Sequence, residues 1–137
     1  MNLKKNIILL TRKLPQKIEE KLQKKYTVIL NKSDKKYTYA ELKKKVSDID
    51  ILVPCISDTI DASIIKAAKK LKLISNFGNG VDNLDLITAK ENKVIVTNTP
   101  DVLTEDTADL VLTMILMISR KVLEAQKDLV NGNWSGW

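Results

Sequence analysis

Short apolar runs alternate with helical patterns along this chain, and that alternation most narrows what it can fold into. Residues 7–11 read as a first strand. Pro15 then opens a helix whose apolar positions Ile18, Leu22 and Tyr26 recur every four residues. Residues 27–30 form a second strand. After a polar turn Thr38 caps a short helix, and Glu41 at the third helical position gives the spacing of a capping box. A third strand at 51–53 stops at Pro54. Asp61 or Ser63 caps a helix carried by Ile64, Ile65, Ala67, Ala68 and Leu71, and a fourth strand spans 73–76. A helix over 84–91 and a fifth strand over 94–97 complete the series.

Strands and helices in strict alternation, with short connections, imply right-handed crossovers and a parallel sheet. The expected class is α/β, a five-stranded parallel sheet in flavodoxin-like order with helices on both faces. From about Thr104 to Asn131 the pattern changes to one long C-terminal helix, begun by Glu105 and Asp106 and ended by Gly132. Between Ala108 and Ile118 it is apolar nearly all round, broken only by Asp109 and Thr113, which predicts burial on every side. At 1.5 Å per residue such a helix is about 42 Å long. That exceeds what a small sheet covers, so residues 104–131 are expected to meet another domain or a second copy as a homodimer.

At 137 residues the chain has the size of one ordinary domain, and with 44% apolar and 29% charged residues it is globular rather than disordered. No stretch approaches the roughly 18 apolar residues of a membrane span, and the apolar run at 7–10 is too short for a signal core. No membrane partner and a cytoplasmic location are therefore expected. Cys55 is the single cysteine and reads as a packed small residue. With no histidine, neither a metal site nor a Cys/His pair is expected.

The net charge of +6 is uneven: residues 1–72 hold 18 basic and 8 acidic side chains, residues 73–137 hold 5 and 9. Nucleic-acid binding does not follow, because 21 of the 23 basic residues are lysines and aromatics are only 4%. Arginine forks and stacking platforms are both scarce, so no nucleic-acid partner is expected.

Residues 76–85, Asn-Phe-Gly-Asn-Gly-Val-Asp-Asn-Leu-Asp, follow the fourth strand and have the look of a ligand loop. Gly78 and Gly80 free the backbone conformationally, so the amides of Asn79 and Gly80 can face a small anion. In open α/β sheets ligands sit beyond the carboxyl ends of the strands, which is where this loop falls. A dinucleotide fingerprint is not formed, since position 83 is Asn83 rather than glycine and no helix starts at once. Val53, Pro54 and Cys55 supply no phospho-acceptor aspartate, and Thr11 to Pro15 is no hydroxyl-rich flavin phosphate loop.

Three stretches together carry a family resemblance: 73–85 (LISNFGNGVDNLD), 96–109 (VTNTPDVLTEDTAD) and 132–137 (GNWSGW). They resemble the D-isomer-specific 2-hydroxyacid dehydrogenases, most of all the glyoxylate/hydroxypyruvate reductase branch, with phosphoglycerate dehydrogenases next. The match is strong over about 71–137, whereas 1–70 agree only in their pattern of elements. The resemblance implies reversible reduction of a small 2-keto acid with NAD or NADP. It implies that Asn79 and Gly80 give backbone amides to the substrate carboxylate, and that Asp82 braces the loop. Leu103 and Thr107 would lie near the nicotinamide and cofactor phosphates, and Trp137 would reach into the active site of a neighbouring subunit.

Within that family a histidine protonates the reduced carbonyl, a glutamate tunes the histidine and an arginine clamps the carboxylate. The chain has no histidine, and its only arginines, Arg12 and Arg120, do not match the clamp. The glycine-rich dinucleotide fingerprint is missing as well. No catalytic residue is assigned, and the expectation is a substrate-binding part over 1–103, then helix and linker over 104–137, truncated before an NAD-binding domain. The alternative is a free-standing carboxylate-binding or subunit-interaction module without catalysis.

Overall fold

The structure is a computed structural model and describes residues 5–136. It divides into two compact units, residues 1–100 and 101–137. In the first unit β1 (Ile7–Leu10), β2 (Thr27–Ile29), β3 (Ile51–Val53), β4 (Leu73–Ser75) and β5 (Ile95–Thr97) form one sheet in the order β2-β1-β3-β4-β5. Every neighbouring pair is parallel, with Ile8 opposite Ile51, Leu52 opposite Ile74 and Ile74 opposite Val96. This is the α/β, flavodoxin-like order that the alternation implies.

The helices of the first unit are α1 (Gln16–Lys25), α2 (Tyr39–Lys45), α3 (Ala62–Ala67) and α4 (Leu86–Glu91), with a 3-10 turn at Val46–Asp48. Thr38 and Glu41 form the capping box at α2, and Asp61 caps α3 by accepting from the Ile64 N–H at 2.9 Å. The helix expected from 84 begins at Leu86, because Asp85 is its cap and Leu84 is buried where the chain bridges to Ile60. The main core lies where α2, α3 and α4 cover the sheet: Leu42, Ile64 and Ala89 pack with the strand residues Leu9, Leu52 and Ile74. The α1 side is thinner. No α1 residue is buried, and an apolar hollow of about 430 Å³ lies among Ile8, Ile51, Leu73, Ile18 and Leu22.

The second unit corrects the long-helix expectation in extent. A long helix does follow the sheet, α5 (Thr104–Ser119), but it ends at Ser119 and a separate α6 (Val122–Val130) follows. At the break Lys121 takes the left-handed conformation at φ 51°, which an L residue adopts at a cost of about 1 kcal/mol or more. Ser119 Oγ donates to the Leu116 carbonyl at 3.1 Å, competing with the helical ladder there. Within this chain no α5 residue is buried, and Leu112 and Ile118 are 60% and 75% exposed. Among the described residues no helix is long and apolar enough to cross a membrane.

At the amino ends of the strands Asp50 joins three elements. It accepts from the Ile7 N–H at 2.9 Å and from Lys72 Nζ at 2.8 Å, and its pKa is lowered, first by the Lys72 bond and then by the Ile7 amide. A carboxyl with a depressed folded pKa adds stability that is complete above its unfolded value and fades as pH falls through the folded one. Asp50→Asn is therefore expected to lower the urea midpoint at pH 7, with the gap from wild type closing below about pH 4.

Candidate functional site

The carboxyl ends of all five strands meet along one edge of the first unit, where a parallel sheet leaves its last backbone groups to be satisfied by loops and side chains. Polar side chains join those ends in a continuous seam. Beyond β2, buried Asn31 donates through Nδ2 to the carbonyls of Thr11 and Lys35, both at 2.7 Å. Beyond β1, the fully buried Thr11 hydroxyl donates to Asp58 Oδ2. The same Asp58 oxygen accepts the Cys55 N–H beyond β3 at 2.9 Å. Cys55 itself is half-buried rather than packed away.

The seam then crosses into the 76–85 loop. Asn83 Nδ2 donates to the carbonyls of Cys55 and Asp58, each at 3.2 Å. Asn83 and Asn76 also exchange side-chain hydrogen bonds, at 3.2 Å in one direction and 3.3 Å in the other. Asn76 is 1% exposed, and its Nδ2 reaches on to the Gly80 carbonyl at 2.8 Å. From β5 the Asn98 side chain donates to the Asn79 carbonyl at 2.7 Å, and the Thr99 N–H to the Gly78 carbonyl at 3.0 Å. The far end of the loop is tied down by Ile60 N–H to Asn83 O and Asp85 N–H to Ile60 O, both at 2.9 Å.

Within this frame Asn79 and Gly80 are exposed. Among the described residues, none of the loop's hydrogen bonds uses the Gly80 N–H. That amide is a donor presented at the sheet edge. The reason expected for the two glycines needs correction, because neither Gly78 nor Gly80 lies in the left-handed region. Gly78 is crowded: a Cβ there would sit 2.1 Å from Ile56 Cγ2, which rides over the loop from beyond β3, so a side chain at this position would have to displace Ile56. A Cβ on Gly80 would meet nothing closer than Asp82 Oδ2 at 3.9 Å, so the fold leaves open the space that a ligand would use.

Among the described residues Asp82 has no partner through which it would brace the loop. It is exposed and enters none of the bonds above, and the bracing falls to its neighbour Asn83. Arg12, beyond β1, is turned to the surface pair with Asp34, Nε to Oδ1 at 2.9 Å, and that hydrogen bond holds the Asp34 carboxyl below the usual range. Leu103 and Thr107 belong to the second unit, where Leu103 precedes α5 and accepts the Thr107 N–H at 2.9 Å. Trp137 lies outside the described residues. Among the described residues no group of three or more His, Cys, Asp or Glu is placed to hold a metal ion.

Residues 8–134 match the family described as D-isomer specific 2-hydroxyacid dehydrogenase, catalytic domain, and the chain belongs to that family. A glyoxylate reductase from Thermococcus onnurineus is 37% identical over 127 residues, covering 93% of this chain and 38% of that protein. A solved structure from Thermus thermophilus superposes with a TM-score of 0.80 at 38% identity, covering 96% of this chain and 42% of that one. An NADPH-dependent glyoxylate/hydroxypyruvate reductase from Sinorhizobium meliloti, solved with NADP and malonate, gives a TM-score of 0.75 at 26% identity, covering 95% and 39%. The chain thus spans about two fifths of the length of these relatives.

Asn31, Asn83, Asp58 and Asn98 were not legible as site residues, because each acts on a partner far away in sequence, and Asn76 was read only as the start of the loop although its side chain holds Asn83 and Gly80 within it. Asp58 is the most demanding of them. It is 1% exposed, and its Oδ1 has no hydrogen-bond partner among the described residues. Asp58→Ala would remove the closer acceptor of the Thr11 hydroxyl and of the Cys55 amide, leaving them the Val53 carbonyl at 3.3 Å and Thr11 Oγ1 at 3.2 Å, and a destabilisation of about 1–3 kcal/mol in denaturant unfolding is expected.

Proposed function

We propose that these residues are the N-terminal, substrate-binding part of an NAD(P)-dependent D-2-hydroxyacid dehydrogenase that interconverts a small 2-keto acid, such as glyoxylate or hydroxypyruvate, with its 2-hydroxy acid. The observation that carries the reading is the unused Gly80 N–H at the sheet edge, beside a Cα with no side chain to block approach. Backbone amides held in place by a rigid frame suit a carboxylate, because they stabilise its charge without reorganising. In this proposal Asn79 and Gly80 offer their amides to the substrate carboxylate. The Sinorhizobium meliloti relative was solved with malonate, a dicarboxylate, which is in keeping with a carboxylate ligand here.

The second unit is proposed to adjoin the cofactor, with Leu103 and Thr107 toward the nicotinamide and phosphates, and Trp137 toward the active site of a partner. The apolar surface of α5 suits a homodimer through residues 104–131. A cytoplasmic location accords with this activity. The described residues do not fit a dinucleotide by themselves: the Gly78/Gly80 loop leads to α4 only at Leu86, and no third glycine follows. The chain has no histidine, and Arg12 is committed to Asp34. Hydride transfer and protonation are therefore not assigned to any residue of these 137.

The exposed apolar α5, with no catalytic acid in the chain, also supports a second reading, a carboxylate-binding or subunit-interaction module without catalysis. An assay of the 137-residue chain separates binding from turnover. Calorimetry is expected to show glyoxylate binding with no NADH oxidation, and Gly80→Ala to weaken binding about tenfold at an unchanged melting temperature. Equal binding by Gly80→Ala would remove the loop from the site. NADH-dependent reduction of a 2-keto acid by this chain would refute its predicted inactivity.

A further inference from the structure

We infer that Asn98 is a positioning residue for the Gly80 amide, acting through the peptide that joins Asn79 to Gly80. The inference rests on the reading of that amide as the carboxylate donor. A single planar peptide unit carries both the Asn79 carbonyl and the Gly80 N–H. No peptide bond among the described residues is cis, so the two groups point to opposite edges of that plane. Asn98 Nδ2 holds the carbonyl edge at 2.7 Å, and the N–H edge consequently faces away from β5.

Asn98 is itself held between two backbone bonds that continue the β4–β5 pairing past the strands. The Asn76 N–H donates to Thr97 O at 2.7 Å on one side of it, and the Thr99 N–H donates to Gly78 O at 3.0 Å on the other. Asn98 thus has a fixed base from which to reach the loop. The next peptide is pinned independently, since Asn76 Nδ2 donates to the Gly80 carbonyl at 2.8 Å. Gly80, the residue best able to swivel, has both flanking peptide planes held by asparagine amides from two different strand ends.

The arrangement also tunes the donor. A hydrogen bond accepted by an amide carbonyl polarises the whole peptide and strengthens the N–H on its other edge. Asn98 therefore sets both the direction and the donor strength of the Gly80 amide without touching the ligand. Its side chain is exposed, so packing does not account for its place at this edge.

The test uses the uniformly labelled 137-residue chain by solution NMR, with sodium glyoxylate as the probe and sodium chloride at matched ionic strength as the control. In wild type, a scalar coupling across the hydrogen bond from Asn98 Nδ2 to the Asn79 carbonyl carbon is expected, and its absence would overturn the inference. In Asn98→Ala the Gly80 amide proton is expected to move upfield while the Asn76 side-chain amide stays in place. Glyoxylate affinity is expected to fall about tenfold, the worth of one positioned hydrogen bond. A folded Asn98→Ala with an unmoved Gly80 resonance and wild-type affinity would overturn the inference. If that variant does not fold, the wild-type coupling decides. A wild-type chain that shows the coupling but no glyoxylate shift at Gly80 would leave the peptide clamp standing and defeat the carboxylate reading instead.

Discussion

Asn76 and Asn83 exchange hydrogen bonds across the carboxyl edge of the sheet, and the geometry of the proposed site hangs on that pair. A parallel sheet ends in a row of backbone groups with no further strand to satisfy them, and leaving them buried and unpaired costs about 1–3 kcal/mol each. Here the debt is met by side-chain amides, a threonine and one buried aspartate, which link β2 to β1, β1 to β3, and β3 to the loop after β4. The satisfaction of the sheet edge and the rigidity of the 76–85 loop are thus one structural solution. An amide in such a loop can be presented to a ligand because everything around it is already committed.

The electrostatic character of this edge follows from the same choice of residues. Amides and hydroxyls make most of the seam without adding charge, while Arg12, the one guanidinium in the first unit, is neutralised by Asp34 at the surface. The proposed attraction for an anion therefore comes from oriented backbone dipoles rather than from a cationic side chain. Such a site selects for a small planar group placed at one edge and says little about the remainder of the ligand.

Much of the fold could be read from local pattern. The five strands and the Thr38–Glu41 capping box each follow from residues within a few positions of one another, and the strand order follows from the regular alternation of strands with helices and short connections. The end of α5 left no such trace, because it is made by Lys121 in a left-handed conformation and by a serine bonding backward, with no glycine or proline to announce it. Asn79 and Gly80 could be picked out because glycine spacing marks a loop. Their supports could not, since Asn98 lies 19 positions from its partner and Asn83 lies 28 from Cys55. The glycines themselves taught a further point: Gly78 answers to the methyl of Ile56 and Gly80 to open space, a distinction that spacing cannot make.

The central claim is that a carboxylate is held by the Gly80 backbone amide rather than by the lysine-rich surface. Solid-state NMR dipolar recoupling between glyoxylate labelled with 13C at its carboxylate and a chain labelled with 15N at glycine amides, or separately at lysine Nζ, measures this directly. The account predicts dephasing from a glycine amide at about 4 Å, the separation of a carboxylate carbon from an N–H donor, which disappears in Gly80→Ala. Dephasing from lysine Nζ alone, unchanged in that variant, would contradict it.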